Sequence, residues 1–416
     1  MGRSVKRHRS PIGSICGIGA VIVICGSAIA GKPPCYDVTA VVPKVQCPGD
    51  DPVSASPISM NDRGDVVGFY ACIGAYDHAI AWWGSSGPID ILDLTPEETN
   101  SRAWAINNNR VICGTVALTG NEYGDLGFVL AGSELSIIQP FEGGTQAWAL
   151  AINGSSQVTG YAGDNVDGDP PWTTFLWEDG VMTDLGPTME AHTSRGADIN
   201  DPGVITGNRR IEEGSEAIGF IWEDGEVTDL GPIAGGYTSE PEAINNKRQV
   251  VGRGRVGVKG EYQWHPFLWS DGEMTDLGLL PGYTKGYARD INDGGVIVGD
   301  CDVADDPCIG FLWQDGTMYD LNDLLTPDCP AKLIVHAKAI DRNGNILTKG
   351  LYNGYKGLIL SPVYSSITDL DGDCDTTVSD LLILLGEWSK TDSPADFNED
   401  GIVDVQDLLA LLAHWG

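Results

Sequence analysis

Apolar and polar positions alternate along most of this chain in runs of about four to eight residues, broken by Gly, Asn, Asp and Pro. Runs of that length with period-two alternation predict β-strands rather than helices. They come in sets of four. In the clearest set they fall at residues 242–245, 249–255, 264–269 and 273–277, filled by Val, Ile, Thr and aromatic side chains. Asp271-Gly272 joins the last two, and the pair recurs at Asp179-Gly180, Asp224-Gly225 and Asp315-Gly316. Asp and Gly both tolerate positive φ, so each pair predicts a two-residue type I′ hairpin. Near the C-terminus the period changes. Leu381, Leu382, Leu384, Leu385 and Trp388, then Leu408, Leu409, Leu411, Leu412 and Trp415, follow helical spacing and predict two helices packed along those stripes.

The four-strand sets are copies of one unit: A-I-N or a variant, a short turn, V-x-G, a variable loop, F-L-W, a D-G pair and T-D-L-G. The residue anchoring the first turn is Asn61, Asn107, Asn153, Asn200, Asn245, Asn292 or Asp341, which makes seven units. Four antiparallel strands in a unit of roughly 45 residues match a propeller blade. The seventh unit lacks a T-D-L-G strand after residues 357–360, while Tyr36-Asp37-Val38-Thr39 has no unit before it. Pairing the two closes the ring and removes both free edges. The expected fold is therefore all-β: a seven-bladed propeller over residues 31–362, closed by an N-terminal strand. A linker at 363–368 and a small all-α domain at 369–416 follow. The A-I-N strand should be innermost, with Ala103, Ala105, Ala149, Ala151, Ala243 and Ala339 crowding the axis.

Repeated residues read as scaffold. An Asn or Asp side chain bonded to nearby backbone fixes the turn after the inner strand. The V-x-G glycines satisfy backbone fit, and Trp177, Trp222, Trp269 and Trp313 pack between blades. Function is then expected where the units differ, on the face gathering second-to-third-strand loops and blade crossovers. There the loop at 162–172 carries Asp164, Asp167 and Asp169, either a cation site or an ordinary solvated loop. The loop at 300–307 is acidic. Units four and five are basic, with Arg209, Arg210, Arg253, Arg255 and Lys259. Arg210 and Arg255 hold equal register and form a candidate strip for an anionic glycan. The alternative is a patch that only neutralises its acidic neighbours.

A formal charge of −34 over 416 residues argues against nucleic acid or an anionic membrane as the main partner. Residues 1–30 read as an export signal: basic Lys6, Arg7 and Arg9, an apolar run at 15–29, and Ala28-Ile29-Ala30 for cleavage. The expected location is secreted or at the cell surface, with no membrane span after cleavage. Export permits disulfides, with Cys301–Cys308 and Cys47–Cys72 the candidate pairs and Cys113 a buried thiol. The six histidines show no metal-ligand spacing, and no nucleophile elbow or phosphate loop is present, so no catalytic residue is assigned.

Two calcium loops are legible at the C-terminus, offset by one loop–helix unit. In residues 396–407, Asp396, Asn398, Asp400, Ile402 (by its carbonyl), Asp404 and Asp407 occupy positions 1, 3, 5, 7, 9 and 12, with Gly401 at the sharp turn. Alternating oxygen ligands suit a hard cation that takes six to eight of them. In residues 369–380 the ligands are Asp369, Asp371, Asp373, Thr377 and Asp380, but Cys374 replaces the turn glycine. One or two Ca2+ ions are expected.

Two resemblances follow from these motifs. His78-Ala79-Ile80-Ala81-Trp82, Phe175-Leu176-Trp177, His265-Pro266-Phe267-Leu268-Trp269 and Phe311-Leu312-Trp313 resemble the HAF family of extracellular repeats, a name that implies no activity. The loop–helix pair at 369–416 resembles a type I dockerin of the GC variety, which implies calcium-dependent docking to a cohesin-like extracellular partner. The family's recognition positions fall on Val378 and Ser379, and on Val405 and Gln406. The Ser-Thr pair of cellulosomal dockerins is absent. The expected function is a non-enzymatic binding protein, with a polysaccharide as candidate ligand, displayed by its docking module. The alternative is a carbohydrate-active enzyme, a glycoside hydrolase or lyase, targeted by that module.

Overall fold

Blade three shows how one repeat folds. Its inner strand, Gln146–Ile152, pairs antiparallel with Val158–Gly163, that with Thr173–Glu178, and that with the outer strand Val181–Asp184. The Asp-Gly turns have positive φ at both residues (48° at Asp179 and 85° at Gly180), the type I′ geometry expected of them. Seven four-stranded sheets of this kind make the body of the computed structural model. The structure describes residues 33–42, 45, 55–71, 77–84, 88–92, 100–117, 125–164, 172–258, 261–303, 308–363, 368–370, 376–391, 393–398, 401–413 and 415.

The ring closes as the sequence predicts. Cys35–Val41 pairs antiparallel with Tyr355–Val363, joining Tyr36 to Pro362 and Val38 to Leu360, and so completes the seventh sheet. The same strand is pinned on its other side: the Tyr36 N–H donates to the Leu324 carbonyl (2.7 Å), and the Thr326 N–H to the Tyr36 carbonyl (2.9 Å). Tyr36 is consequently buried at 1% exposure.

Phe128, Phe175, Phe220, Phe267 and Phe311 recur at one register of the third strand and are fully buried. They sit in separate clusters, most of which mix residues of two neighbouring blades, so each blade is held by the next. Trp177 and Trp269 belong to these clusters, as expected. Ala103 and Ala149 also pack there rather than around the axis. A β-bulge explains this. All seven inner strands shift register at the same place, for example between Ala149 and Ala151, which reverses which residues face inward. The bulge also accounts for the V-x-G glycine, because a Cβ on Gly160 would lie 1.8 Å from the Trp148 carbonyl oxygen. In the seventh blade Thr348 takes that position, and there the inner strand has a second irregularity between Ile334 and His336.

In the fifth blade the second and third strands run longer than expected, Val250–Val258 against Glu261–Ser270, because the ladder continues past Arg255 to a pairing of Val258 with Glu261. A one-turn helix, Gly186–Met189, lies in the crossover from blade three to blade four. No helix among the described residues is long and apolar enough to cross a membrane.

Cys301 and Cys308 are free thiols, not a disulfide. Cys301 lies opposite Ile309 in the ladder, so its strand neighbour Cys308 points to the other face of the sheet. The Cys308 thiol meets Asp302 Oδ1 at 3.6 Å instead. Cys113 is buried, and burial raises its pKa far above the thiol range. The pairing of Cys47 with Cys72 lies outside the described residues, as does the export signal.

Both C-terminal helices form, at Val378–Gly386 and Val405–Ala413. Leu384 and Leu411 meet with Ala395 and Val403 in a small core, with Leu381 and Leu408 against it. Only two of the five residues of each predicted stripe are used. Leu382, Leu385, Trp388, Leu409, Leu412 and Trp415 remain exposed, because helices this short bury one narrow seam.

Candidate ligand-binding site on the propeller axis

The two ends of the axis are built differently. At the end carrying the short turns, each anchoring Asn does more than fix its own turn. The Asn107 Oδ1 accepts from the N–H groups of Asn109 (2.9 Å) and Val111 (3.0 Å), and its Nδ2 donates to the Asn153 carbonyl of the next blade (3.0 Å). The same inter-blade bond runs from Asn61 to Asn107, Asn153 to Asn200, Asn200 to Asn245, Asn245 to Asn292 and Asn292 to Asp341. Asp341 has no amide to continue the belt. That seam is bridged one residue on, by the Arg342 N–H to Asp62 Oδ1 (3.0 Å) and the Arg342 guanidinium to Asp62 Oδ2 (2.6 Å). The mouth inside this belt has a volume of about 250 Å³.

Two further carboxylates lie deeper along the inner strands. Asp198 Oδ1 accepts from the Ile199 N–H and Oδ2 from the Ile244 N–H of the next blade, both at 2.8 Å. Asp290 makes the same pair of bonds to Ile291 and Ile340. Removal from bulk water raises both pKa values to about 7 against the backbone donors that oppose it. Alanine holds this register in four other blades (Ala105, Ala151, Ala243 and Ala339).

The opposite end, toward the long loops, holds the candidate site. It is made by the first halves of the inner strands and the residue following each V-x-G glycine. A cavity of about 260 Å³ is lined by Leu150, Tyr161, Arg195, Asn208, Arg210, Glu240, Glu242 and Arg253, among others, from blades three to five. On one flank the aromatic rings form a run. Trp104 stacks on Trp148 (6.4 Å, 28°), Trp148 stacks on Tyr161 (5.9 Å, 10°), and Trp172 meets Tyr161 edge-on (5.3 Å). Trp148 and Tyr161 are cross-strand partners, so the ladder itself sets their stack. The Trp104 indole N–H donates to Thr115 Oγ1 at 3.1 Å, which fixes that ring.

On the other flank the residues are charged. Arg253 pairs with Glu240 (2.8 Å), and Arg289 pairs with Asp300 (3.0 Å) and approaches Glu242 (3.8 Å). His336 Nδ1 lies 3.5 Å from Asp300. Burial raises the Glu242 pKa, and the charges of Arg289 and Arg253 only partly offset it. Burial pulls the other way at Asp300, but His336 and Arg289 outweigh it and hold that carboxyl below its ordinary value. Desolvation, with Lys349 and Arg289 nearby, lowers Lys338 to about 8, and its ammonium donates to the Pro57 carbonyl (2.8 Å). Asp300 is thus a buried strand residue beneath the site, not part of an acidic surface loop as expected.

The basic strip does not form as a strip. Arg209 is clamped by Asp229 (3.0 Å) and by the Met189 carbonyl. Arg255 pairs with Glu216 (3.1 Å) within a ring of Tyr237, Tyr262 and Trp264. Arg253 faces Glu240, and Lys259 lies outside the described residues. Neutralisation therefore accounts for three of the five, and only Arg210 reaches the cavity without a carboxylate partner among the described residues. Asp164 accepts from Thr145 Oγ1 (3.1 Å), while Asp167 and Asp169 lie outside the described residues.

Trp104, Trp148, Tyr161, Arg195, Glu242, Arg289 and Lys338 were not singled out from sequence. The signal was present. They fall three or five residues before the anchoring Asn, or one after the V-x-G glycine, where the seven copies disagree most in chemistry.

In the C-terminal module the second loop turns at Gly401 with φ 94°, as position 6 requires, and Gly401 N–H donates to Asp396 Oδ2 (2.8 Å). Asp407 Oδ1 accepts from Phe397 (2.7 Å) and Oδ2 from Asp404 (2.8 Å). Asp380 plays the same part in the first loop, bonding Leu370 and Thr377. Of the oxygen set expected to hold a hard cation, Asp369, Asp380, Asp396, Asn398, Ile402, Asp404 and Asp407 are among the described residues. Thr377 Oγ1 caps the first helix by accepting from Ser379 N–H (3.2 Å), which sets it apart from the acidic ligands. Asp371, Asp373, Cys374 and Asp400 lie outside the described residues. Among those described, no three acidic, histidine or cysteine side chains converge as a metal cluster. Val378, Ser379, Val405 and Gln406 are all exposed at the helix starts.

No protein-family model matches this chain, and no curated protein matches it. Solved structures similar to it include the Pyrococcus horikoshii acylaminoacyl peptidase, at 15% identity and TM-score 0.43 over 66% of this chain and 46% of that one. The β-propeller domain of the Trilobed protease from Pyrococcus furiosus gives 13% and 0.45 over 67% and 85%. The polysaccharide lyase Uly1 gives 10% and 0.44 over 79% and 97%. The chain spans about half the length of the first of these, the 46% just given. Likeness at this level carries no inference about activity.

Proposed function

We propose that this chain is an extracellular binding protein whose propeller holds a saccharide in the axial cavity on its long-loop face. In this reading the C-terminal calcium loops tether it to a docking partner through Val378, Ser379, Val405 and Gln406. One observation supports the saccharide most: the half-buried rings of Trp104, Trp148 and Tyr161 stack in a run that ends at Tyr161, in the wall of a cavity edged by charged and amide groups. Aromatic faces receive the C–H faces of sugar rings, and fixed polar groups at the edge read their hydroxyls. The test is calorimetric titration of the whole protein with a panel of neutral and acidic oligosaccharides. Trp148→Ala should weaken binding at least tenfold for every sugar that binds, with the urea midpoint little changed. Unaltered affinity in that variant would remove the cavity from the reading.

A second reading, a carbohydrate-active enzyme, gains from Glu240 and Glu242 lining one cavity, with Glu242 raised by burial toward the proton-holding state of a general acid. Sugar released from a bound oligosaccharide, and lost in Glu242→Gln, would favour it over simple binding.

A further inference from the structure

The cavity contains an anchoring pair that the saccharide reading alone does not require. Six arginines lie in or beside this end of the axis on blades four to six, and the carboxylate contacts of four have been given: Arg209, Arg253, Arg255 and Arg289 each face at least one. Arg195 and Arg210 differ. Both line the cavity, both are exposed, and neither has a carboxylate partner among the described residues. They stand on adjacent strands of blade four, where Arg195 pairs with Asn208 and Arg210 lies two residues further on.

Arg195 is also held in place. Its guanidinium lies 5.2 Å from the Tyr161 ring centre and 6.0 Å from that of Trp172. Stacking of this kind orients the planar fork and limits its rotamer freedom without consuming its N–H donors. Tyr161 is also the ring against which Trp148 stacks, so the oriented guanidinium sits at the cavity end of the aromatic run. Elsewhere on the cavity wall Arg253 pairs with Glu240, and Glu242 lies 3.8 Å from an Arg289 that already pairs with Asp300. Arg195 and Arg210 are thus the two cavity arginines without a carboxylate partner among the described residues, in a chain whose formal charge is −34.

We propose, building on the saccharide reading above, that the ligand is an acidic sugar whose oxyanion is held by Arg195 and Arg210 while its ring lies against the aromatic run that ends at Tyr161. The shared chemistry is an anionic oxygen group on a sugar ring, a uronate carboxylate or a sulfate ester. A carboxylate fits the bidentate fork of a single guanidinium, and a tetrahedral sulfate is suited to being shared between both.

The probes are trigalacturonate, a sulfated galactose trisaccharide and neutral galactotriose, each titrated calorimetrically into the full chain in calcium-containing buffer. An acidic trisaccharide is expected to bind at least tenfold more tightly than the neutral one, and which acidic one wins distinguishes the two sources. Arg195→Ala should remove that preference, lowering the affinity of the acidic sugar at least tenfold and that of the neutral sugar by clearly less. Arg195→Lys should restore it only in part, because an ammonium keeps the charge but loses the fork. Arg210→Ala should reduce it severalfold. Both arginines are exposed, so the variants are expected to keep the parent circular dichroism spectrum. Equal affinity for all three sugars, or a preference that survives Arg195→Ala, overturns this proposal and leaves the saccharide reading standing. If none of the three binds, both fall.

Discussion

The two mouths of the axis are made from the same seven inner strands, yet one is nearly sevenfold and the other has no symmetry. At the short-turn mouth an Asn occupies the anchoring position in six blades and an Asp in the seventh, and every amide spends its donor on the next blade. The anchoring side chains there are spent on the backbone of their own and the next blade, which leaves them little to offer a ligand. A few residues earlier on the same strands, Trp148, Arg195, Glu240, Tyr287 and His336 stand at one register, with Trp104, Leu150, Ala197, Glu242, Arg289 and Lys338 at the next. Repetition builds the ring, and departure from it builds the cavity. A propeller can separate the two jobs because a strand holds its neighbour by backbone bonds, whatever side chain points along the axis.

The largest test strikes what both mouths share. Deleting residues 35–41 exposes the long edge of Tyr355–Val363 and removes the buried Tyr36. The expected outcome is loss of the folded propeller, read as collapse of the near-ultraviolet circular dichroism and aggregation on size exclusion. A native-like monomer from that deletion would show that the first strand does not hold the ring closed.

Next comes the level between the mouths, where Asp198 and Asp290 break the alanine register. Their folded pKa values, about 7, lie above the unfolded value of 3.8. The folded state therefore binds more protons than the unfolded state between about pH 4 and pH 7. Stability should fall as pH rises through that window, by a few kcal/mol at most, and level off above it. Replacing both with the alanine found in four other blades should flatten the profile, measured as urea midpoints from pH 4 to pH 8. A parent profile that is flat or rises with pH would contradict the placement of these carboxylates.

The smallest test sharpens the short-turn mouth. Asn107→Ala leaves the Asn109 and Val111 N–H groups and the Asn153 carbonyl without their partner, which should cost about 1–3 kcal/mol in urea unfolding. Asp341→Asn supplies the donor missing from the belt and should be neutral or gain up to about 1 kcal/mol. A loss as large as that of Asn107→Ala would mean the seventh seam depends on the carboxylate, through Asn343 and Asn345.

The C-terminal module offers a milder contrast. Its two halves repeat at Leu384 and Leu411, which are fully buried, and again at Leu382 and Leu409, which are among its most exposed side chains at 64% and 60%. A helical stripe in sequence records which side chains share a face, and only the contact itself decides how much of that face is covered.

Blade number, strand order, the type I′ hairpins and the pairing of the first strand with the last were all set by local pattern and by the need to leave no free edge. Those features depend on backbone geometry that each residue carries with it, and a repeat states them seven times over. The cavity depended on something else. Which arginines keep a free charge was decided by partners such as Glu216, Asp229 and Glu240, brought near by strand pairing and crossovers rather than by spacing along the chain. The inward turn of the residues before each anchoring Asn was decided by a bulge that alternation conceals. Cys301 and Cys308 make the same point in miniature. Seven residues apart across one loop, they looked like a pair until the ladder's register set them on opposite faces of a sheet.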